Sequence, residues 1–191
     1  MNGLTQKKYP TIACCGLDCG LCPKYYTQGP SKCPGCYGPN FSEKHPSCSI
    51  ITCCVKKNGY ETCAECENLI CDKLKDWDKS DSFICHRKSI MNLEYIQKNS
   101  LEDFLEQQKK RIGLLEKILN DYNEGRSKNF FCISTALLSI SDLEYAIKES
   151  EQQIKKDSIE SGDIKLKSKI LRNILEKIAK EKNILLKLYR G

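Results

Sequence analysis

The chain of 191 residues is long enough for one domain or two small ones, and its 14 cysteines divide it unevenly. Its formal charge of +6 is spread along both halves, which favours a solvated surface over a nucleic-acid patch. The longest nearly apolar run, 130–140, contains Ser and Thr and is too short to span a bilayer, so no membrane association is expected.

Residues 1–13 read as a loose lead-in. They contain no apolar stretch or small-residue cleavage site typical of an export signal, and the expected location is cytoplasmic. Residues 14–80 read as a cysteine-rich domain. Thirteen of the cysteines lie between Cys14 and Cys85, among many glycines and prolines that suit short turns. Large apolar side chains are few there. They are a poor match for a backbone ordering cost of roughly 1–2 kcal/mol per residue, so the segment needs another staple. In a reducing compartment that staple is metal rather than disulfide. A zinc held by four thiolates carries a net charge of about −2, and two such centres would bring +6 to about +2.

Residues 81–191 read as a helical domain. Asp81 or Ser82 is expected to cap a helix running to about Lys98, with Phe83, Ile90, Leu93 and Ile96 on its inner side. Ser100 caps the next helix. Its apolar stripe runs from Leu101 through Phe104, Leu105, Ile112, Leu115, Ile118 and Leu119 to Tyr122, with Gln108 as the one gap and Gly125 just past the end. A short helix is expected over about 128–138. Ser141 and Glu144 read as a capping box for a helix that Gly162 ends. Asp163 caps a last helix with Ile170, Leu171, Ile174, Leu175 and Ile178 inside. The tail, Ile184 to Tyr189, reads as a short strand or a frayed helical turn. The fold class is therefore mainly α, a small loop-rich cysteine metal-binding domain followed by an α-helical bundle.

The chemistry lies in three Cys-x-x-Cys clips, Cys19/Cys22, Cys33/Cys36 and Cys63/Cys66. A clip works because a tight turn brings two sulfurs to one ion while its amide N–H groups point at them. The run from Cys15 to Pro23, CGLDCGLCP, resembles the opening of a bacterial and archaeal cysteine-rich family known only as domain of unknown function 3795. The match continues through CPGC at 33–36, Cys48, Cys54, CAEC at 63–66 and CDKL at 71–74; Ile70 stands where many members have proline. The resemblance covers about residues 12–75 and implies no assigned activity. It leaves ten cysteines as metal ligands: Cys15, Cys19, Cys22, Cys33, Cys36, Cys48, Cys54, Cys63, Cys66 and Cys71. Sequence proximity groups the first five and the last five, and crossed pairing is equally allowed. Two or three Zn2+ ions fit this sulfur count, and [4Fe–4S] clusters are the alternative. Dispersed clips with glycine turns favour zinc; the Cys15, Cys19, Cys22 spacing also occurs in radical-SAM proteins, but no barrel pattern follows it.

Cys14, Cys53, Cys85 and Cys132 fall outside the ligand set. His45 reads as an exposed loop histidine rather than a ligand, and His86 as a helix residue with no catalytic pairing to Cys85. Tyr25, Tyr26 and Tyr37 read as cover for the metal loops. Arg126, Ser127 and Lys128, at the start of a helix, are the candidate anion site, and Cys132 one turn on is the weak candidate for a reactive thiol. A capped helix with Cys132 buried is preferred there. The expected function is structural zinc binding by a protein whose helical domain serves interaction or regulation through a protein partner. An iron–sulfur redox protein is the alternative. No acid–base pair or nucleotide loop is visible, so catalysis is not expected.

Overall fold

The computed structural model describes residues 6–189. Among them the chain is helical and looped, as the sequence predicts. It has no strand, and its one isolated β-bridge joins Ile12 and Asp18. Among the described residues no helix is long and apolar enough to cross a membrane. Lys109–Leu188 forms one compact unit, and the described residues outside it form the other.

The first unit contains the cysteines up to Cys85. Its short helices are α1, Phe41–Lys44, and α2, Ser49–Ile51, which runs into a π-helical turn over Thr52–Lys57. Helix α3 spans Ser89–Lys98, and the first turns of α4, Leu101–Tyr122, complete the unit. Ile12, Val55, Leu74 and Leu93 are fully buried, and the thiols of Cys14, Cys15, Cys36 and Cys54 pack with them in one core. Cysteine acts here as a small hydrophobe beside the few larger side chains.

Helix α3 begins at Ser89, not near Asp81. The Asp81 side chain turns away from the helix: its carboxylate accepts from His86 N–H at 2.6 Å and Tyr189 N–H at 2.8 Å. Its own N–H donates to the Tyr189 carbonyl at 2.7 Å. Asp81 thus ties a loop, and Phe83, expected on an inner helix face, is 52% exposed. His86 is buried under Trp77, with its ring nitrogens at the Trp77 carbonyl and the Ser82 hydroxyl. The tail is neither strand nor helix. Ile184 N–H closes onto the Ala179 carbonyl, and the chain then runs irregularly to Tyr189.

Ser100 caps α4 as expected, accepting from Asp103 N–H at 3.0 Å. Gln108, the polar gap in the stripe, is buried and donates to the Thr11 carbonyl at 2.9 Å and to Asp18 at 2.7 Å. It holds the first cysteine loop by one backbone carbonyl and one side chain. Gly16 brings the same loop against α3, with φ at +80° and room for no side chain: a Cβ would lie 2.1 Å from the Ser89 carbonyl oxygen. Residues 6–13, read as a loose lead-in, include the buried Lys7 and Ile12.

The second unit contains the rest of α4, then α5, Lys128–Leu137, α6, Ile140–Lys156, and α7, Ile164–Glu181. Leu115, Ile118, Phe131, Leu138, Leu143, Ala146, Leu171 and Leu175 are fully buried, and the Tyr122 hydroxyl meets that of Ser150 at 2.9 Å. Arg111 closes the C-terminal end of α5, donating to the carbonyls of Thr135 and Leu138. Asp163 caps α7 as expected, accepting from Leu166 N–H at 2.9 Å. The box that opens α6 is Ser139 with Asp142, not Ser141 with Glu144. Ser139 is the last extended residue before the helix, and Ser141 already lies inside it. Burial alone would raise the Asp142 pKa, but bonds from Lys182 and Ser139 hold it below the usual carboxylate value.

Gly16→Ala should lower stability by about 2 kcal/mol or more, because it adds both a forbidden contact and a strained φ. Gly113→Ala, in open space on α4, should raise it by up to about 1 kcal/mol; urea unfolding of both variants measures the contrast. Asp142→Asn should cost about 1 kcal/mol at neutral pH. A depressed folded pKa stabilises above the unfolded value, so the deficit should vanish as pH falls through the folded one. Unfolding curves at several acidic pH values read this directly.

Candidate metal centre

The first and third clips are built as tight 3-10 turns, Cys19–Leu21 and Cys63–Glu65, each closed by the N–H of the second cysteine on the carbonyl of the first at 3.1 Å. Around Cys22 the backbone N–H groups of Lys24 and Tyr25 reach the sulfur, the arrangement a metal-binding thiolate uses. The second clip depends on Gly35, whose φ is +85° and whose missing Cβ would lie 2.3 Å from the Pro10 carbonyl oxygen. Cys36 N–H bonds to that same carbonyl at 2.8 Å, and Cys63 N–H bonds to the Cys14 carbonyl at 2.9 Å. Backbone contacts thus draw sequence-distant loops together before any sulfur is considered.

Cys14 is the meeting point. It shares one buried core with Cys36 and Cys54, and Cys63 packs against that core. The neighbouring thiols, Cys36 first and then Cys54, bring the Cys14 pKa down to about 3 despite its burial. Cys63 is lowered in the same way by Cys54. Cys36 and Cys54 are raised, Cys36 by Cys14 and Cys54 by Cys14 and Cys63, with burial adding to both; the Cys54 thiol donates to the Tyr60 carbonyl at 3.5 Å. The Lys7 ammonium favours thiolate at Cys14, Cys36 and Cys63. It is buried, donates to the carbonyls of Ile12, at 2.7 Å, and Glu61, and stands 3.8 Å from the Glu61 carboxylate.

A second group surrounds the first clip. Burial pushes Cys15 up to about 12 and raises Cys19 and Cys22 as well; Cys19 feels the charges of Cys15, Cys22 and Cys33. Cys33 Sγ lies 3.3 Å from His45 Nε2. His45 is half-buried and stacked on Phe41 at 4.3 Å, and burial lowers its pKa toward the neutral, metal-ligating form. It is not the free loop histidine expected. The Tyr26 hydroxyl covers this clip, donating to the Gly20 carbonyl at 2.8 Å.

Of the remaining cysteines, Cys48 packs against the core and the others lie outside it. Cys48 is half-buried and acts electrostatically on Cys15. Cys66 is half-buried and Cys71 exposed, and among the described residues neither side chain hydrogen-bonds. Cys53 faces Asn58, Cys85 is half-buried, and Cys132 is buried within α5. Arg126 is exposed, Ser127 fully buried and Lys128 half-buried. No cysteine is in a disulfide.

Through their influence on one another's charge the thiols form a string, Cys36–Cys14–Cys54–Cys63. Among the described residues no set of three or more His, Cys, Asp or Glu surrounds a single point as an ion's ligands would. The donors nevertheless fit a thiophilic ion: reduced thiols in mutual contact, amide N–H groups at sulfur, a neutral imidazole and a buried cation. Sequence reasoning missed Cys14, Lys7 and the Cys33–His45 contact. The one local sign for Cys14 is the apolar Ile12-Ala13 leading into it, which reads as a buried segment.

On reduced, folded protein, iodoacetamide at neutral pH should modify Cys71 first and leave Cys132 unmodified until the chain unfolds; peptide mass spectrometry gives the order.

No curated protein and no solved structure matches the chain. Residues 11–76 match the model of the family described as "Protein of unknown function (DUF3795)", so the cysteine-rich region is the part of the chain that this family describes.

Proposed function

We propose that the cysteine-rich region is a structural zinc-binding domain, working in a reducing compartment such as the cytoplasm. The observation that carries this reading is the gathering of thiols from four separate segments: Cys14, Cys36 and Cys54 share one buried core, and Cys63 packs against it. These four would hold one ion, and Cys19, Cys22 and Cys33 with His45 would hold another. The bound ion would supply cross-links between loops that have too few apolar side chains to stay folded alone. The imidazole nitrogen beside Cys33 favours zinc over an all-sulfur iron cluster. Lys7 would offset part of the negative charge of the first centre. The helical unit would then serve interaction or regulation.

Elemental analysis of protein purified without chelator should find about two zinc ions per chain and no iron. Cys14→Ser should remove one of them, and His45→Ala should weaken retention of the other in a competitive chelator titration. Chelation under reducing conditions should open residues 14–80 to proteolysis while α5 to α7 keep their circular dichroism. Iron with acid-labile sulfide would replace zinc by an iron–sulfur assignment. A metal-free protein with unchanged protease resistance would end the metal reading.

A further inference from the structure

We propose that the second unit holds an anion site for a phosphate-bearing small molecule, in the pocket between the segment leading into α5 and the first half of α7. The pocket has a volume of about 440 Å³, and four basic side chains line it, Arg126, Lys165, Lys169 and Arg172, against one carboxylate, Glu124. Three of these cations, Arg126, Lys165 and Lys169, have no ion-pair partner among the described residues.

The wall behind them is built and fixed. Ser127 and Ser168 are 0% and 2% exposed. Ser127 donates to Glu124 Oε1 at 3.0 Å, and Ser168 donates to Glu124 Oε2 at 2.9 Å. Arg172 Nη1 donates to Ser127 Oγ at 3.1 Å, while its guanidinium lies 4.4 Å over the Phe130 ring and Nη2 stands 3.6 Å from Glu176. Both oxygens of the one carboxylate are therefore engaged by hydroxyl groups of the wall. Three unpaired cations remain at the mouth. Lys128 does not line the pocket; the cations come mainly from α7.

The chemistry selects an anion of more than one charge, because three unpaired cations line one pocket where one would serve a carboxylate. The volume selects a ligand larger than phosphate alone, since pockets of this size accept small organic molecules. A phosphorylated metabolite satisfies both. Nothing in this inference depends on the metal centre.

Inorganic pyrophosphate, a compact phosphate polyanion, is the probe. Titration calorimetry of the full chain at low salt should show one saturable site. Lys165→Ala/Lys169→Ala should weaken binding at least about ten-fold, the loss expected for roughly 1.4 kcal/mol. Circular dichroism and thermal unfolding should stay unchanged, since both side chains are exposed. Lys148→Ala/Lys155→Ala, on exposed positions of α6, should bind like the parent chain. Absence of saturable binding up to about 10 mM would overturn the proposal. Equal losses in the two double variants would overturn it as well, by reducing the effect to general charge.

Discussion

Lys7 carries an ammonium into the interior of the first unit, and the chain around it is arranged to receive that charge. Burying an uncompensated cation costs several kcal/mol, so its surroundings must answer with acceptors and negative charge. The Ile12 and Glu61 carbonyls accept hydrogen bonds from it, and the Glu61 carboxylate stands close by. The same carboxylate accepts from the backbone N–H groups of Lys8 and Tyr9. One charge thus pins the segment before the first cysteine to the loop before the third clip. The sulfurs of Cys14, Cys36 and Cys63 lie within its field.

The core beside it is unusual in composition rather than in packing. Where a domain of this size would use Leu and Phe, four buried thiols fill the space with Ile12, Val55, Leu74 and Leu93. Sulfur provides dispersion like a methyl group, yet it can also exchange a proton with a neighbouring sulfur or surrender it to an ion. The interior therefore holds together through contacts that are apolar in one chemical state and ionic in another. The second unit has no such ambiguity. Its helices bury aliphatic stripes in the ordinary way, and its polar interior residues, such as Tyr122 with Ser150, are paired.

What could be read in advance follows from the range of the interactions. Ser100 and Asp163 cap helices whose signals lie within four residues, and both were legible. The stripe from Leu101 to Tyr122 was legible for the same reason. Ser139 and Ser141 both offered a cap with an acidic residue three positions on. The helix uses Ser139, which directly follows the extended, fully buried Leu138 that ends α5. Asp81 was misread because its partner Tyr189 is at the far end of the sequence. Cys14 and His45 were hidden similarly: their neighbours are chosen by the close approach of Gly35 to Pro10 and by the fold of α1, and no spacing rule contains either.

The string of thiols through Cys14 makes the history of the chain matter. Before the loops close, the sulfurs that reach Cys14 most readily are those a few residues on, Cys19 and Cys22, not Cys36 or Cys54, because short flexible loops cost less entropy to form. An oxidant met during synthesis would trap such local pairings, each locking out the native arrangement. A chain that matures in a reducing medium is free to search until backbone contacts at Gly35 and Cys63 have sorted the sulfurs. Recombinant refolding in air would thus yield a family of covalent isomers from a sequence that, kept reduced, has one destination.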